Sequence, residues 1–338
     1  MNKLNLILVL AVLAPALHAQ ATPKESLLAL SKRDHTLAIV DPVTLKVIAK
    51  APVGNDPHEV IASADGKTAY VSNYGGGSFN TLAVIDLVGQ KPLPSIDLGP
   101  MKGPHGLAFL GGKVWFTAEG AKAIGSYDPA TQKVDWILGT GQNRTHMIFV
   151  FEDLKRIVTT NVSSGTVTMI DKTPPRTAGG PFGPPGGDWD ETVIKVGNGS
   201  EGFDVSPDGK EIWVANSQEG TISIIDVATK KVIDTLSANV QSANRLKFTP
   251  DGSKVLVSSL RGENLVVLDA RSRKEMKRIK LGHGAAGIQM QPDGARAFVA
   301  NTPDNYVSVI DLKSLEVTGK IDVGPEPDGL AWSIMKRM

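Results

Sequence analysis

Three histidines, a glutamate and an asparagine recur at one register of the chain. His58, His146, Glu201 and Asn244 each lie seven residues before an aspartate, at Asp65, Asp153, Asp208 and Asp251, and Ala286 keeps that spacing to Asp293. His105 joins the series once the shorter turn Gly111-Gly112 replaces the aspartate turn. Three imidazoles and a carboxylate brought to one point suit a divalent ion such as Zn²⁺, Cu²⁺, Mn²⁺ or Fe²⁺. Three protein ligands with one open position would let a bound water act as nucleophile or base near neutral pH. The expectation is a divalent metal on His58, His105 and His146, with Glu201 as fourth ligand or general base. Asp328 and Arg245 then orient a substrate, with Asn244 beside them. Without a metal, the same side chains are polar groups in a wet channel, a site for an anionic or polar ligand, or a proton shuttle.

The elements that must position these residues come from a repeat. A short apolar strand ending in aspartate recurs at Asp41, Asp86, Asp128, Asp171, Asp226, Asp269 and Asp311, at intervals of 42 to 45 residues except for one of 55. Residues 201–237 show the unit in full: EGFDVSPDG, KEIWVAN, TISIIDVATK and KVIDTLSAN read as four strands with turns between them. The Asp-Gly turns supply positive φ without a Cβ clash. Apolar residues such as Ile222, Ile224, Val232 and Ile233 fit sheets packed face to face. Seven units of four antiparallel strands predict an all-β, seven-bladed β-propeller. Residues 26–53 supply three strands and the chain ends on an orphan first strand from Asp328, so pairing the two closes the ring and removes open sheet edges.

The repeat resembles the YVTN-type β-propeller family at AYVSN (69–73), IWVAN (212–216) and AFVAN (297–301), over nearly the whole chain after its leader. That resemblance implies the fold. PHGLAFLGGKVWFTAEG (104–120) also looks like a repeat of streptogramin lyase, a seven-bladed propeller implied to use a divalent metal in elimination. In a propeller the first strand of each blade lines the channel, which puts His58, His105, His146, Glu201, Asn244, Ala286 and Asp328 around one mouth. Loops after the second strands open on the same side and add Tyr74, Glu119, Arg261 and His35 as ligand candidates. Asn73, Asn161, Asn216 and Asn301 recur at one blade position and read as a repeated turn bond.

The chain has 338 residues, 41% hydrophobic and 21% charged, with 36 Lys plus Arg against 35 Asp plus Glu and no Cys. This balance, with no basic stripe, speaks against nucleic acid, although single-strand binding is associated with the family. Disulfides and CxxCH haem attachment are excluded. His58-Glu59 does not open an HExxH motif, because Ala62 stands at the second histidine. Lys3, the apolar run Leu6 to Leu13 and Ala19-Gln20-Ala21 read as an export signal over 1–21, leaving 22–338 as one domain in the periplasm or outside the cell. No stretch reaches the ~20 apolar residues of a membrane span. The Gly/Pro-rich insertion 173–190 predicts a long loop on the face opposite the histidines, with Phe182 and Trp189 as exposed anchors for another exported protein.

The functional expectation is a monomeric metal-dependent lyase or hydrolase acting on a small polar molecule or a cell-envelope component. The alternative is a non-catalytic binding or scaffold propeller.

Overall fold

The computed structural model describes residues 20–173 and 188–336. Within them lie seven four-stranded antiparallel sheets. We number the blades from the first complete one. Blade 1 starts at Pro57–Ala62, blade 2 at Pro104–Leu110, blade 3 at Thr145–Val150, blade 4 at Ser200–Val205, blade 5 at Ala243–Phe248 and blade 6 at Ala285–Met290. Blade 7 joins the last strand, Pro327–Ile334, to Glu25–Ser31, Thr36–Asp41 and Lys46–Pro52.

Closure therefore occurs as the orphan strand predicts. Leu27 pairs with Trp332 and Leu28 with Ala331. Alternate residues of Glu25–Ser31 then serve two cores. Leu27 and Ala29 pack with Phe298 and Val307 of blade 6, whereas Leu28 and Leu30 pack with Val60, Val71 and Ile85 of blade 1. Burying both faces of the closing blade makes ring closure part of the hydrophobic stabilisation.

The middle strands show why a propeller repeat reads as it does. TLAIVD and TISIID are buried over four successive residues, because a neighbouring blade covers each face. The outermost strands behave differently. Ile222 and Ile224 are fully buried, but Val232 and Ile233 on the outer strand are 37% and 48% exposed and do not contribute to a packed core. Apart from Asp171, which pairs with Arg156 and Lys230, the recurrent aspartate ends the third strand with its carboxylate accepting backbone N–H groups of the following turn, as Asp226 does from Thr229 at 2.7 Å and Asp311 from Ser314 at 2.7 Å.

The expected leader lies outside the described residues, except for Gln20 and Ala21. Most of the insertion, including Phe182, also lies outside them. Trp189 is described and corrects its sequence-based role. It is half-buried, its ring lies 5.3 Å from that of Trp136 on blade 2, and Lys172 sits over its face, so it is a packing residue rather than a free anchor. Among the described residues no helix is long and apolar enough to cross a membrane.

Candidate functional site

The seven register positions fall on the second residue of each innermost strand. All seven line one cavity of about 300 Å³ at the channel mouth. A β-bulge aims them there. In blade 1 the register steps from Pro57↔Asn73 to Val60↔Val71, so one extra residue is fitted at His58-Glu59. The same step recurs in the other innermost strands, for example at Pro104/Leu107, Thr145/Ile148 and Ser200/Phe203. Bulges turn a side chain out of the pleat, and here they turn the ring residue toward the axis. The residue after the ring position is glycine in four blades because the next inner strand is too close for a side chain. A Cβ on Gly329 would lie 2.3 Å from the His58 carbonyl oxygen, and one on Gly287 2.2 Å from that of Asp328.

His146 is the hub of the ionisable side. Its Nδ1 is hydrogen-bonded to the Glu119 carboxylate and its Nε2 lies 2.8 Å from Glu201 Oε2. Burial opposes charge on this imidazole, but Glu201 and Glu119 outweigh it and raise its pKa above the ordinary value. Glu201 responds in the opposite sense. Burial would raise its pKa, yet the His146 charge and hydrogen bond, with Arg245 and Arg144, push it down to about 2. Glu119 is likewise lowered against its burial by His146, Tyr74 and Arg144. The Tyr74 hydroxyl donates to it at 2.5 Å and Arg144 Nε stands 3.4 Å away. Burial and that carboxylate push the Tyr74 pKa upward, which keeps the phenol protonated.

His105 lies against this hub with its ring centroid 3.8 Å from that of His146 and 5.0 Å from that of His58. Only 3% of the residue is exposed. Burial, reinforced by positive charge on its neighbours, holds its pKa well below the ordinary value, so it is neutral. Its buried Nδ1 has no hydrogen-bond partner among the described residues. His105, Glu119 and His146 each offer one ligand atom within 4.8 Å of the others, which makes them the compact metal-type group among the described residues. His58 sits beside that group, with Nε2 2.9 Å from Lys32 Nζ and Nδ1 3.1 Å from the Asp56 carbonyl oxygen.

Across the mouth, Arg245 follows Asn244 and Glu59 follows His58, and their side chains meet in an ion pair across the channel. Burial opposes charge on Arg245, but Glu59, Asp328 and Glu201 keep its pKa raised. Its Nη1 is buried and without a partner. Asp328 accepts a contact from Lys32 Nζ at 3.4 Å.

The ring residues expected from the spacing are thus brought together, and Tyr74 and Glu119 join them from the second-strand loops. His35 and Arg261 are exposed and outside the cavity lining. His35 adopts φ 54° in a turn, and Arg261 borders a separate groove with Asn239 and Arg278. The repeated asparagines are buried and bond to hydroxyls of the adjoining strand, such as Asn216 to Thr221 and Ser223 at 3.0 and 2.9 Å, which corrects the expected turn bond to the backbone into a side-chain bond between strands. Lys32, Glu59 and Arg144 were not among the expected residues. Glu59 sits on the bulge, where the register rule could have found it. Lys32 and Arg144 come from loops, and only contact reveals them.

A family model described as YNCE-like beta-propeller matches residues 188–295, which take in blades 4 and 5 and the first strand of blade 6. The three ring histidines lie outside that match, and its description differs from the YVTN label expected from the repeats. No curated protein matches the chain. Among solved structures, a functionally unknown protein from Desulfotomaculum acetoxidans is similar with a TM-score of 0.75 at 14% identity, covering 92% of this chain and 99% of that one. A candidate 6-phosphogluconolactonase from Bacteroides uniformis gives 0.72 at 15% identity, covering 92% and 100%. Dihydro-heme d1 dehydrogenase NirN in complex with DHE gives 0.65 at 14% identity, covering 93% and 66%. At these identities the similarity shows the β-propeller fold alone.

Proposed function

We propose that this protein is an exported β-propeller that binds a divalent metal at its channel mouth and uses it on a small polar molecule, in lyase- or hydrolase-type chemistry. The observation that carries this reading is His105. It is neutral, almost wholly buried and left with a free ring nitrogen, in a group whose ligand atoms lie within 4.8 Å. An unmet buried imidazole nitrogen costs about 1–3 kcal/mol, and a metal ion removes that cost. Charge supports a cation too. Lys32, Arg144, Arg245 and His146, four positive groups, face Asp56, Glu59, Glu119, Glu201 and Asp328, five negative ones. His105 and, once its Nε2 proton is released, His146 would hold the ion, with His58 and a glutamate completing the set. Glu119 on His146 Nδ1 is the kind of carboxylate–histidine contact that fixes a ligating ring. In that state Glu201 is free to act as ligand or general base, and Tyr74 as a protonated donor.

A second reading has its own observation. Both nitrogens of His146 face carboxylates and His58 Nε2 faces Lys32, so the mouth also works as a metal-free site for a polar ligand. Native mass spectrometry of protein purified without chelator separates the two. The metal reading expects about one ion per chain in wild type and none in His105→Ala, on the ligand count of a catalytic site. Near-zero metal in both proteins would sink it. The same spectra report the mature mass, and a chain starting at Thr22 or Gln20 is expected if the leader is removed on export.

A further inference from the structure

We infer that the mouth also contains an oxyanion subsite, centred on Arg245 and separate from the histidines, that takes the carboxylate or phosphate group of a small ligand. The inference deepens the small-molecule reading above, yet it depends on different atoms. Arg245 is 8% exposed, and one arm of its guanidinium is fixed by Glu59 across the channel. The other arm, Nη1, is buried and has no acceptor among the described residues, on a residue that lines the cavity. A buried guanidinium N–H without an acceptor is costly, and a planar fork anchored at one arm is set to bind an oxyanion at the other.

The surrounding charges leave that arm available. Glu201 and Asp328, the carboxylates in the lining, act on Arg245 through space but have their contacts with His146 at 2.8 Å and Lys32 at 3.4 Å. Lys32 and Arg144 add positive charge on the lining, and Asn244 adds an amide next to Arg245. Ala286, Gly284 and Thr302 of the neighbouring sector line the same cavity with small side chains. At about 300 Å³ the cavity is at the lower end of ligand pockets, which suits a small acid rather than a polymer.

Isothermal titration calorimetry with malonate and with inorganic phosphate tests this, using chelator-dialysed protein. Both probes, or one of them, should bind to wild type without any metal, and Arg245→Gln should weaken binding at least about tenfold, the scale of one charge-assisted pair. Glu59→Gln frees the second arm of the guanidinium and should tighten binding. Because Arg245→Gln leaves Glu59 buried and unpaired, the double variant Glu59→Gln/Arg245→Gln, with matched neutral amides, provides the folded control and should also lose the anion. Absence of binding to wild type, or equal binding in wild type and the double variant, overturns the inference. Zinc titrated into the same proteins keeps the two readings apart. Anion binding with no zinc uptake defeats the metal reading alone, and zinc uptake with no anion binding defeats the oxyanion subsite alone.

Discussion

The two sides of the mouth share one backbone and differ in chemistry. From blade 1 to blade 4 the ring positions are His58, His105, His146 and Glu201, locked into one network with Glu119, Tyr74 and Arg144. On blades 5 and 6 the same positions are Asn244 and Ala286, beside Gly284, Thr302 and Pro303, and here the cavity has its open wall. The bulge is present in both sectors, at Ala243/Leu246 and Ala285/Ile288 as well as at the histidines. A pseudo-symmetric scaffold therefore supplies the aim of each side chain, and the departure from symmetry supplies the site. One sector concentrates ionisable groups at the cost of burying them, and the other carries neutral side chains at the ring positions. The match to a family model falls over blades 4 and 5 and part of blade 6, which carries the scaffold but none of the three histidines.

The sharpest way to break this contrast is to truncate one side chain in each sector. Glu119→Ala leaves the His146 ring, the Tyr74 hydroxyl and Arg144 without their shared carboxylate, inside a site where Glu119 and His146 side chains are 3% and 4% exposed. Loss of one partner of a buried ion pair costs about 3–5 kcal/mol. Asn244→Ala on the open side removes no ion pair and should cost under about 1 kcal/mol. Urea unfolding of the metal-free proteins measures both. Equal losses would mean that the ionisable sector is not the more tightly coupled of the two.

The fold was legible because every unit repeats the same physical solution. The aspartate that accepts turn N–H groups, the Asp-Gly hairpin and the apolar third strand recur at nearly constant spacing, and the terminal strands complement each other. Counting back from the turn located five ring residues, a shorter turn added His105, and the orphan closing strand supplied Asp328, since the distance from bulge to turn is fixed by strand length. The relations between those residues were not legible. Glu119 was one loop candidate among several, and only the structure shows it bound to His146 Nδ1, with Glu201 at the other ring nitrogen. Lys32 and Arg144 reach the mouth from loops of irregular length, where no register applies. Trp189 failed as a surface anchor because its partner, Trp136, comes from another blade and carries no signal in local sequence.

The pH dependence of stability offers a second, smaller contrast. His146 has a raised pKa in the fold, so its ionic contribution is complete below its unfolded value of about 6.5 and fades as pH rises through the folded one. Glu201, at about 2 in the fold, contributes fully above its unfolded value of about 4.3 and fades as pH falls toward 2. Metal-free protein should therefore be stabilised most by this pair between about pH 4.5 and 6.5. His146→Gln should flatten that region of a Tm-against-pH curve, whereas Asn244→Ala should preserve its shape. A wild-type curve still rising steadily from pH 5 to 9 would show that the pair is not governing the dependence.

The smallest stability effect is expected on the open side, and it is the most useful for function. Ala286 borders the cavity at a ring position where its neighbours carry larger polar groups. Ala286→Leu would extend an apolar side chain from the ring position into the existing space, adding buried apolar area while disturbing no ion pair. Overpacking has a cost where no space exists, but with about 300 Å³ at hand the net change should stay within about 1 kcal/mol. The same substitution should exclude a small anion from Arg245 and reduce malonate binding, while zinc uptake by the histidine sector remains as in wild type. Paired calorimetric titrations of malonate and zinc read both sides of the mouth in one protein. If zinc uptake fell together with malonate binding, the two sectors would be one coupled site, because a substitution confined to the open wall would have reached the imidazoles on the far side.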